Sequence, residues 1–318
     1  MKVLLTGASG FVGSEVLNKL VKKKYDPLIV TRDLRSSQTS SSKVYVKSID
    51  ADTDWGDSLF GCDLVIHCAA RVHVMNDQSS DPLEEFRKVN VAGSLRLARE
   101  SAAAGVKRFI FLSSIKVNGD ASKPGSSYSA DDKEVPLDPY GISKFEAEQG
   151  LKRIALETGM EVVIIRPVLV YGPGVKANFH SMMSWLNKGI PLPLGAINNR
   201  RSLVALDNLV DLILTCIDHP AAANQTFLVS DGEDLSTTEL LRRMGSSLGR
   251  PALLLSVPSW LLELGAALLR KRSFSDRLCG SLQVDISKTR QLLNWSPPVT
   301  VDEALSKTAI HFREHKKP

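Results

Sequence analysis

The run Lys2-Val-Leu-Leu-Thr6, followed without a spacer by Gly7-Ala-Ser-Gly-Phe-Val-Gly13, decides how this chain folds. Residues 2–6 are valine and leucine around a β-forming core and read as a buried strand. The apolar positions Phe11, Val12, Val16, Leu17, Leu20 and Val21 then recur at helical spacing. The order is strand, glycine turn, helix, the opening half of a βαβ unit. Three glycines permit a tight turn, expose bare backbone and let helix pack closely on strand, while the first helical turn offers N–H groups that have no partner within the helix. Such a turn receives phosphate. Its spacing, G-x-x-G-x-x-G, at the head of a βαβ unit assigns it to a dinucleotide, with Gly7, Ser9, Gly10, Phe11, Val12 and Gly13 as the expected contacts.

Further strand-like runs occur at Leu28–Thr31, Val44–Val46, Leu64–Cys68, Phe109–Ser113, Val162–Arg166 and Thr226–Val229. Most alternate with helical stretches, clearest over Leu83–Ala104 and Tyr140–Glu157. This predicts an α/β fold of Rossmann type, a doubly wound parallel sheet covered on both faces. After Arg166 the pattern breaks at Pro167, Pro173, Pro191 and Pro193. The expected organisation is a dinucleotide-binding domain over residues 1–166 and a smaller substrate-binding part over 167–318, with some later segments returning to the sheet.

With 318 residues, of which 43% are hydrophobic, the chain has ample material for a buried core. Basic residues number 40 against 35 acidic ones, an excess too thinly spread to suggest nucleic acid, and no polybasic block exceeds Lys22-Lys23-Lys24. The cysteines, Cys62, Cys68, Cys216 and Cys279, form no C-x-x-C pair and read as reduced, buried thiols. The histidines show no metal-ligand spacing, so no metal is expected. The first residues form a strand rather than an export signal, and the apolar stretch Leu253–Leu269 is interrupted by Pro258 and Glu263. The expectation is a cytoplasmic protein with no membrane attachment.

The chemistry is carried by Tyr140-Gly-Ile-Ser-Lys144. Asp138 fits a helix N-cap and Pro139 the first helical turn, so Tyr140 opens a helix and Lys144 lies one turn on, on the same face. A free tyrosine ionises near pH ~10, and a neighbouring ammonium together with an oxidised nicotinamide favours its phenolate, which makes Tyr140 a usable base. Phe109-Ile-Phe-Leu-Ser113-Ser114 is an apolar strand ending in two hydroxyls at the carboxyl edge, where open α/β sheets bind ligands; Ser114 is placed to hydrogen-bond a substrate oxygen. His67, inside a strand, reads as a packed core histidine.

With these elements in place, the chain resembles the extended short-chain dehydrogenase/reductase family, and within it the nucleotide-sugar epimerase/dehydratase group typified by UDP-glucose 4-epimerase. The resemblance runs over nearly the whole length, through Thr6-Gly-Ala-Ser-Gly-Phe-Val-Gly13, Ile66-His-Cys-Ala-Ala70, Asn90-Val-Ala-Gly93, Phe111-Leu-Ser-Ser114, Pro139-Tyr-Gly-Ile-Ser-Lys144 and Arg166-Pro-Val-Leu-Val-Tyr-Gly-Pro173. It implies that Ser114, Tyr140 and Lys144 form the catalytic trio and that Asn90 supports the active-site helix. By the same resemblance Asp50 contacts adenine, Ala69 and Ala70 line the cofactor channel, and Pro167 with Val168 abuts the nicotinamide. Asn178, Phe179 and Arg201 match positions that meet the substrate's diphosphate, with Arg277 as a further arginine. A homodimer paired through the helix around Leu83–Ala104 and the Tyr140 helix is also implied.

Two positions depart from the group. Thr31-Arg32 stands where NAD-bound members carry an acidic residue, with Asp33 just beyond; Arg32 suits a 2′-phosphate, so NAD and NADP both remain open. After Ser114 comes Ile115-Lys116, where 4,6-dehydratases of this group carry an Asp-Glu pair. The expected reaction is therefore hydride transfer at C4 of a nucleotide-activated, UDP-linked hexose or N-acetylhexosamine by a 4-epimerase-type enzyme. An NADPH-dependent 4-keto-sugar-nucleotide reductase would use the same trio. A non-catalytic NAD(P)-binding regulatory protein would carry damage to that trio, and a steroid or flavonoid carbonyl reductase would lack a phosphate clamp. The polar run Asn198-Asn-Arg-Arg-Ser202 reads either as part of such a clamp or as a solvated basic loop.

Overall fold

A computed structural model describes residues 1–32, 41–72, 81–123, 125–132, 135–258, 260–262 and 278–315. Strand β1 (Lys2–Thr6) leads into α1 (Phe11–Lys22), followed by β2 (Asp26–Thr31), β3 (Lys43–Tyr45) and β4 (Leu64–His67). A short helix α2 (Pro82–Phe86) continues through a π-helical stretch, Arg87–Gly93, into α3 (Ser94–Ala103). Next come β5 (Arg108–Leu112), α4 (Pro139–Thr158), β6 (Glu161–Pro167), β7 (Leu169–Tyr171), α5 (Ala177–Asn187), β8 (Arg201–Ala205) and α6 (Leu206–Asp218). The chain closes with β9 (Thr226–Val229), β10 (Asp234–Leu235), α7 (Thr237–Ser247), α8 (Ser287–Leu293) and α9 (Val301–Glu314).

Among the described residues, seven strands pair in the order β3-β2-β1-β4-β5-β6-β9, parallel throughout. Parallel strands are buried on both faces, which is why these runs are continuously apolar rather than alternating. Odd and even residues separate accordingly. Val3, Leu5, Ile66, Ile110 and Val163 pack with Val16 and Leu20 of α1 and with Leu209 and Ile213 of α6. Leu4, Val65, Phe109, Phe111 and Ile164 pack with Leu97 of α3 and with Ala147 and Leu151 of α4. This is the doubly wound arrangement, in which ligands bind outside the carboxyl ends of the strands where the order reverses, between β1 and β4.

A three-stranded sheet, β10-β8-β7, was not legible in the sequence, because β7 has 3 residues and β10 only 2, too short for a period to declare itself. It supports a separate apolar core in which Phe179 and Met183 of α5, Leu241 and Met244 of α7 and Leu305 and Phe312 of α9 meet. No helix among the described residues is long and apolar enough to cross a membrane. Residues 259 and 263–269 of the apolar stretch Leu253–Leu269 lie outside the described residues, as does the nearby candidate Arg277.

Candidate active site

The glycine turn is built as the spacing demands. Gly7 holds φ at +73°, a conformation that L side chains rarely adopt, and a methyl group there would lie 2.7 Å from Ala69 N. A Cβ on Gly13 would sit 2.1 Å from the carbonyl oxygen of Gly7. The amide of Gly10 donates to that same oxygen at 2.9 Å, closing the turn ahead of α1. Ser9 and Gly10 are exposed, and with Phe11 they border a cleft of about 560 Å³ that continues to Pro173, Lys176 and Lys307. Three backbone positions without side chains, facing the unpaired N–H groups of a helix start, fit a pyrophosphate. Ala69 and Ala70 lie at the end of the neighbouring strand β4, partly exposed, and the Ala69 amide donates to Thr6 Oγ1 at 3.1 Å.

Tyr140 and Lys144 are brought to the same edge by α4. Asp138 caps this helix, accepting from the Gly141 amide at 2.9 Å, and Pro139 occupies the first turn. Gly141 lets the helix approach the loop after β5 closely, since a Cβ there would lie 2.6 Å from the Lys116 carbonyl. That approach brings the Tyr140 phenol beside the Ser114 hydroxyl. Burial pushes the Tyr140 phenol up to about 12, the Ser114 hydroxyl pulls it down, and the charge of Asp138 adds to the rise. Lys144 is 1% exposed, with Nζ 4.0 Å from the centroid of the Phe111 ring. Burial draws its ammonium down to about 7, opposed by the negative charge of Glu148 and by Cys68.

Asn90 lies in the π-helical stretch and is buried. It donates to Ser143 Oγ at 3.0 Å and to the Arg71 carbonyl at 3.0 Å, and accepts from the Arg71 amide at 2.8 Å. It thus joins the loop after β4 to the first turn of α4. His67 is sealed in the core with Nδ1 2.7 Å from Thr6 Oγ1 and Nε2 2.9 Å from Ser94 Oγ, and burial lowers its pKa to about 3. It is a neutral bracing group, as its place in a strand suggests.

The remaining candidates are more dispersed. Pro167 and Val168 close β6 and are buried at the same sheet edge. Arg32 is exposed just past β2; Asp33, its proposed alternative, lies outside the described residues. Asp50 accepts from Ser48 Oγ and, at 3.0 Å, from the Asp52 amide, which holds its carboxylate below the usual range. Asn178 is exposed near the start of α5. Phe179 is 2% exposed and stacks on Tyr171 at 5.2 Å, so its side chain is committed to the core and only its backbone is available to a ligand. Arg201 opens β8, partly buried, and donates to the Gly280 carbonyl at 2.9 Å. The run Asn198–Ser202 is only half solvated: Asn198 and Arg200 are exposed, whereas Asn199 and Ser202 are 6% and 2% exposed and hydrogen-bonded to Gly280, Thr237 and Val284. Sequence reasoning passed over Glu148 and assigned no role to Arg166. The available signal was a charged residue closing the apolar run Val162–Ile165 and a glutamate one helical turn beyond Lys144.

A family model described as "NAD dependent epimerase/dehydratase family" matches residues 3–230. The chain is 49% identical over 313 residues to a UDP-glucose 4-epimerase of Vibrio cholerae, covering 98% of this chain and 95% of that one. It is 29% identical over 331 residues to a UDP-glucose 4-epimerase of Mycolicibacterium smegmatis, covering 98% and 99%. Among solved structures, the crystal structure of a UDP-glucose 4-epimerase with UDP-glucose from the hyperthermophile Thermotoga maritima aligns over 100% of both chains with a TM-score of 0.78 and 25% identity.

Proposed function

Because the chain belongs to the NAD dependent epimerase/dehydratase family, we propose that it is an NAD-dependent UDP-sugar 4-epimerase whose working groups are Ser114, Tyr140 and Lys144. The observation that carries this reading is the Tyr140 phenol with the Ser114 hydroxyl beside it, one helical turn from a buried lysine, at the carboxyl edge of a parallel sheet that also carries a glycine turn shaped for pyrophosphate. NAD, when bound, accepts the C4 hydride of the sugar and returns it.

The protein's own groups manage the proton. Tyr140, as phenolate, takes the proton of the sugar's C4 hydroxyl as the C4–H bond breaks, and gives it back when that bond is remade on the other face. Ser114 hydrogen-bonds the same oxygen and steadies the developing 4-keto group. Lys144 supports the phenolate by charge. Burial raises the Tyr140 phenol, and the positive charges of Lys144 and of the oxidised nicotinamide would oppose that rise. Ile115 and Lys116 follow Ser114 where elimination of water would need carboxylates, which favours epimerisation over dehydration.

Cofactor contacts are assigned to Gly7, Ser9, Gly10, Phe11, Val12 and Gly13 at the pyrophosphate, to Asp50 at adenine, to Ala69, Ala70 and Asn90 along the channel and to Pro167 and Val168 at the nicotinamide. Arg32 is the group that would admit NADP. Asn178, the backbone of Phe179 and Arg201 are assigned to the UDP diphosphate. The expected assembly is a homodimer through the outer faces of α3 and α4. The decisive experiment incubates the purified protein with UDP-glucose, UDP-galactose or UDP-N-acetylglucosamine and no added cofactor. Interconversion at C4 supports the epimerase. Strict dependence on added NADPH and a 4-keto substrate would overturn it in favour of the reductase.

A further inference from the structure

Glu148 sits on α4 four residues beyond Lys144, so the two side chains share a helix face. It is fully buried, and its partners come from two other elements. Arg166 of β6 donates Nε to Oε1 at 2.9 Å and Nη2 to Oε2 at 2.5 Å, while Ser113, just past β5, donates its hydroxyl to Oε1 at 2.5 Å. Arg166 is 3% exposed and its Nη1 donates to Asn118 Oδ1 at 3.0 Å. An ion pair this dry is poorly explained as a device for stability, because the attraction roughly cancels the lost hydration and well-packed apolar replacements do as well. Its neighbours in the chain suggest another purpose. Ser113 precedes Ser114, Arg166 precedes Pro167 and Val168, and Glu148 lies one turn beyond Lys144.

We propose that Glu148, clamped by Arg166 and Ser113, is a positioning residue that keeps Lys144 an ammonium ion beside Tyr140. This rests on the reading of Lys144 as the partner of the catalytic phenol. Along its own helix Lys144 has Tyr140 one turn before and Glu148 one turn after; His67 and Cys68 at the end of β4 and the Phe111 ring of β5 lie about it, and Arg166 of β6 and Ser113 stand behind Glu148. His67 is neutral, the Cys68 thiol is held protonated by burial, and Tyr140 is a phenol at rest. Among these described groups Glu148 supplies the negative charge. The bidentate fork of Arg166 occupies both carboxylate oxygens, so Glu148 acts on Lys144 through space without capturing the ammonium in a direct ion pair.

The test is a pH titration of the ligand-free protein labelled with 13C at lysine Cε, with the Lys144 resonance assigned by its loss in Lys144→Arg. Glu148→Gln removes the charge while keeping the shape. Glu148→Gln/Arg166→Met removes both charges, leaves no unpaired ion behind and is expected to fold. In either variant the Lys144 midpoint is expected to fall by at least about one pH unit, the scale of a single nearby charge. The alkaline limb of kcat should move to lower pH by a similar amount, with KM for UDP-glucose within about twofold. A folded variant whose Lys144 titrates at the wild-type midpoint overturns the proposal. The resonance needs no turnover, so a wild-type protein inactive on UDP-sugars would refute the epimerase assignment while a lowered midpoint in the variants still upheld this one.

Discussion

At the scale of single residues, Tyr140 sets the requirement that its neighbours meet. A phenol that ionises near 12 is almost wholly protonated at neutral pH, so activity depends on positive charge near it, that of Lys144 and of the oxidised cofactor. Tyr140→Phe keeps the ring and removes the acid–base group. It is expected to lower kcat by at least ~100-fold while UDP-glucose binding, measured by calorimetry, changes little. Gly13→Ala is a different kind of lesion: its methyl group would meet the Gly7 carbonyl at 2.1 Å, so either helix or turn must shift. NAD affinity, read by fluorescence quenching, is expected to fall at least ~10-fold, and wild-type affinity would refute the close packing. His67 fixes a pH response. Its folded pKa of about 3 lies below its unfolded value, so the unfolded chain binds the extra proton between about pH 6.5 and 3. The stabilisation is complete above that window and is lost as pH falls through it. Thermal unfolding of the wild type is expected to decline more steeply from pH 6.5 to 4 than that of His67→Gln, which carries no titrating ring.

At the scale of elements, α4 was legible because its signals are local. Asp138 as cap, Pro139 in the first turn and the one-turn spacing of Tyr140 and Lys144 can all be read within seven residues, and the helix does run Pro139–Thr158. The stretch Leu83–Ala104 was expected to be one regular helix. The structure instead inserts a π-helical segment, Arg87–Gly93, between α2 and α3. A wider turn of this kind leaves the apolar pattern almost unchanged, so periodicity does not reveal it; such segments often accompany functional positions. Here it turns Asn90 inward to three hydrogen bonds, the one to Ser143 buried and the two to the Arg71 backbone partly so. Asn90→Ala strands those partners and is expected to cost at least about 2 kcal/mol of stability, together with a fall in kcat larger than that in kcat for a destabilised surface control. Unchanged thermal unfolding would show that the loop after β4 and α4 are joined by something else.

At the scale of the whole molecule, one core covers each face of the large sheet and another fills the part built on α5, α7 and α9. Arg201 opens β8 of the small sheet and is the residue proposed to meet the substrate's diphosphate. Arg201→Ala is expected to raise KM for UDP-glucose about 10-fold or more, with kcat nearly unchanged, as loss of a charged contact to phosphate requires. A kcat defect with normal KM would place the arginine elsewhere. The sequence by itself determined the doubly wound parallel fold, the tight glycine turn ahead of α1 and the one-turn spacing of Tyr140 and Lys144 on α4, because each is written in neighbouring residues whose period, caps and glycines act over one or two turns. Only the tertiary structure decided which distant side chains converge. Ser113 and Glu148, 35 residues apart, and Thr6 and His67, 61 apart, meet because parallel register and helix docking align them. The same applies to Phe179, whose motif position suggested a ligand contact and whose packing against Tyr171 gave its side chain to the core. Contacts of that range are set by how sheets and helices pack, and no local pattern encodes them.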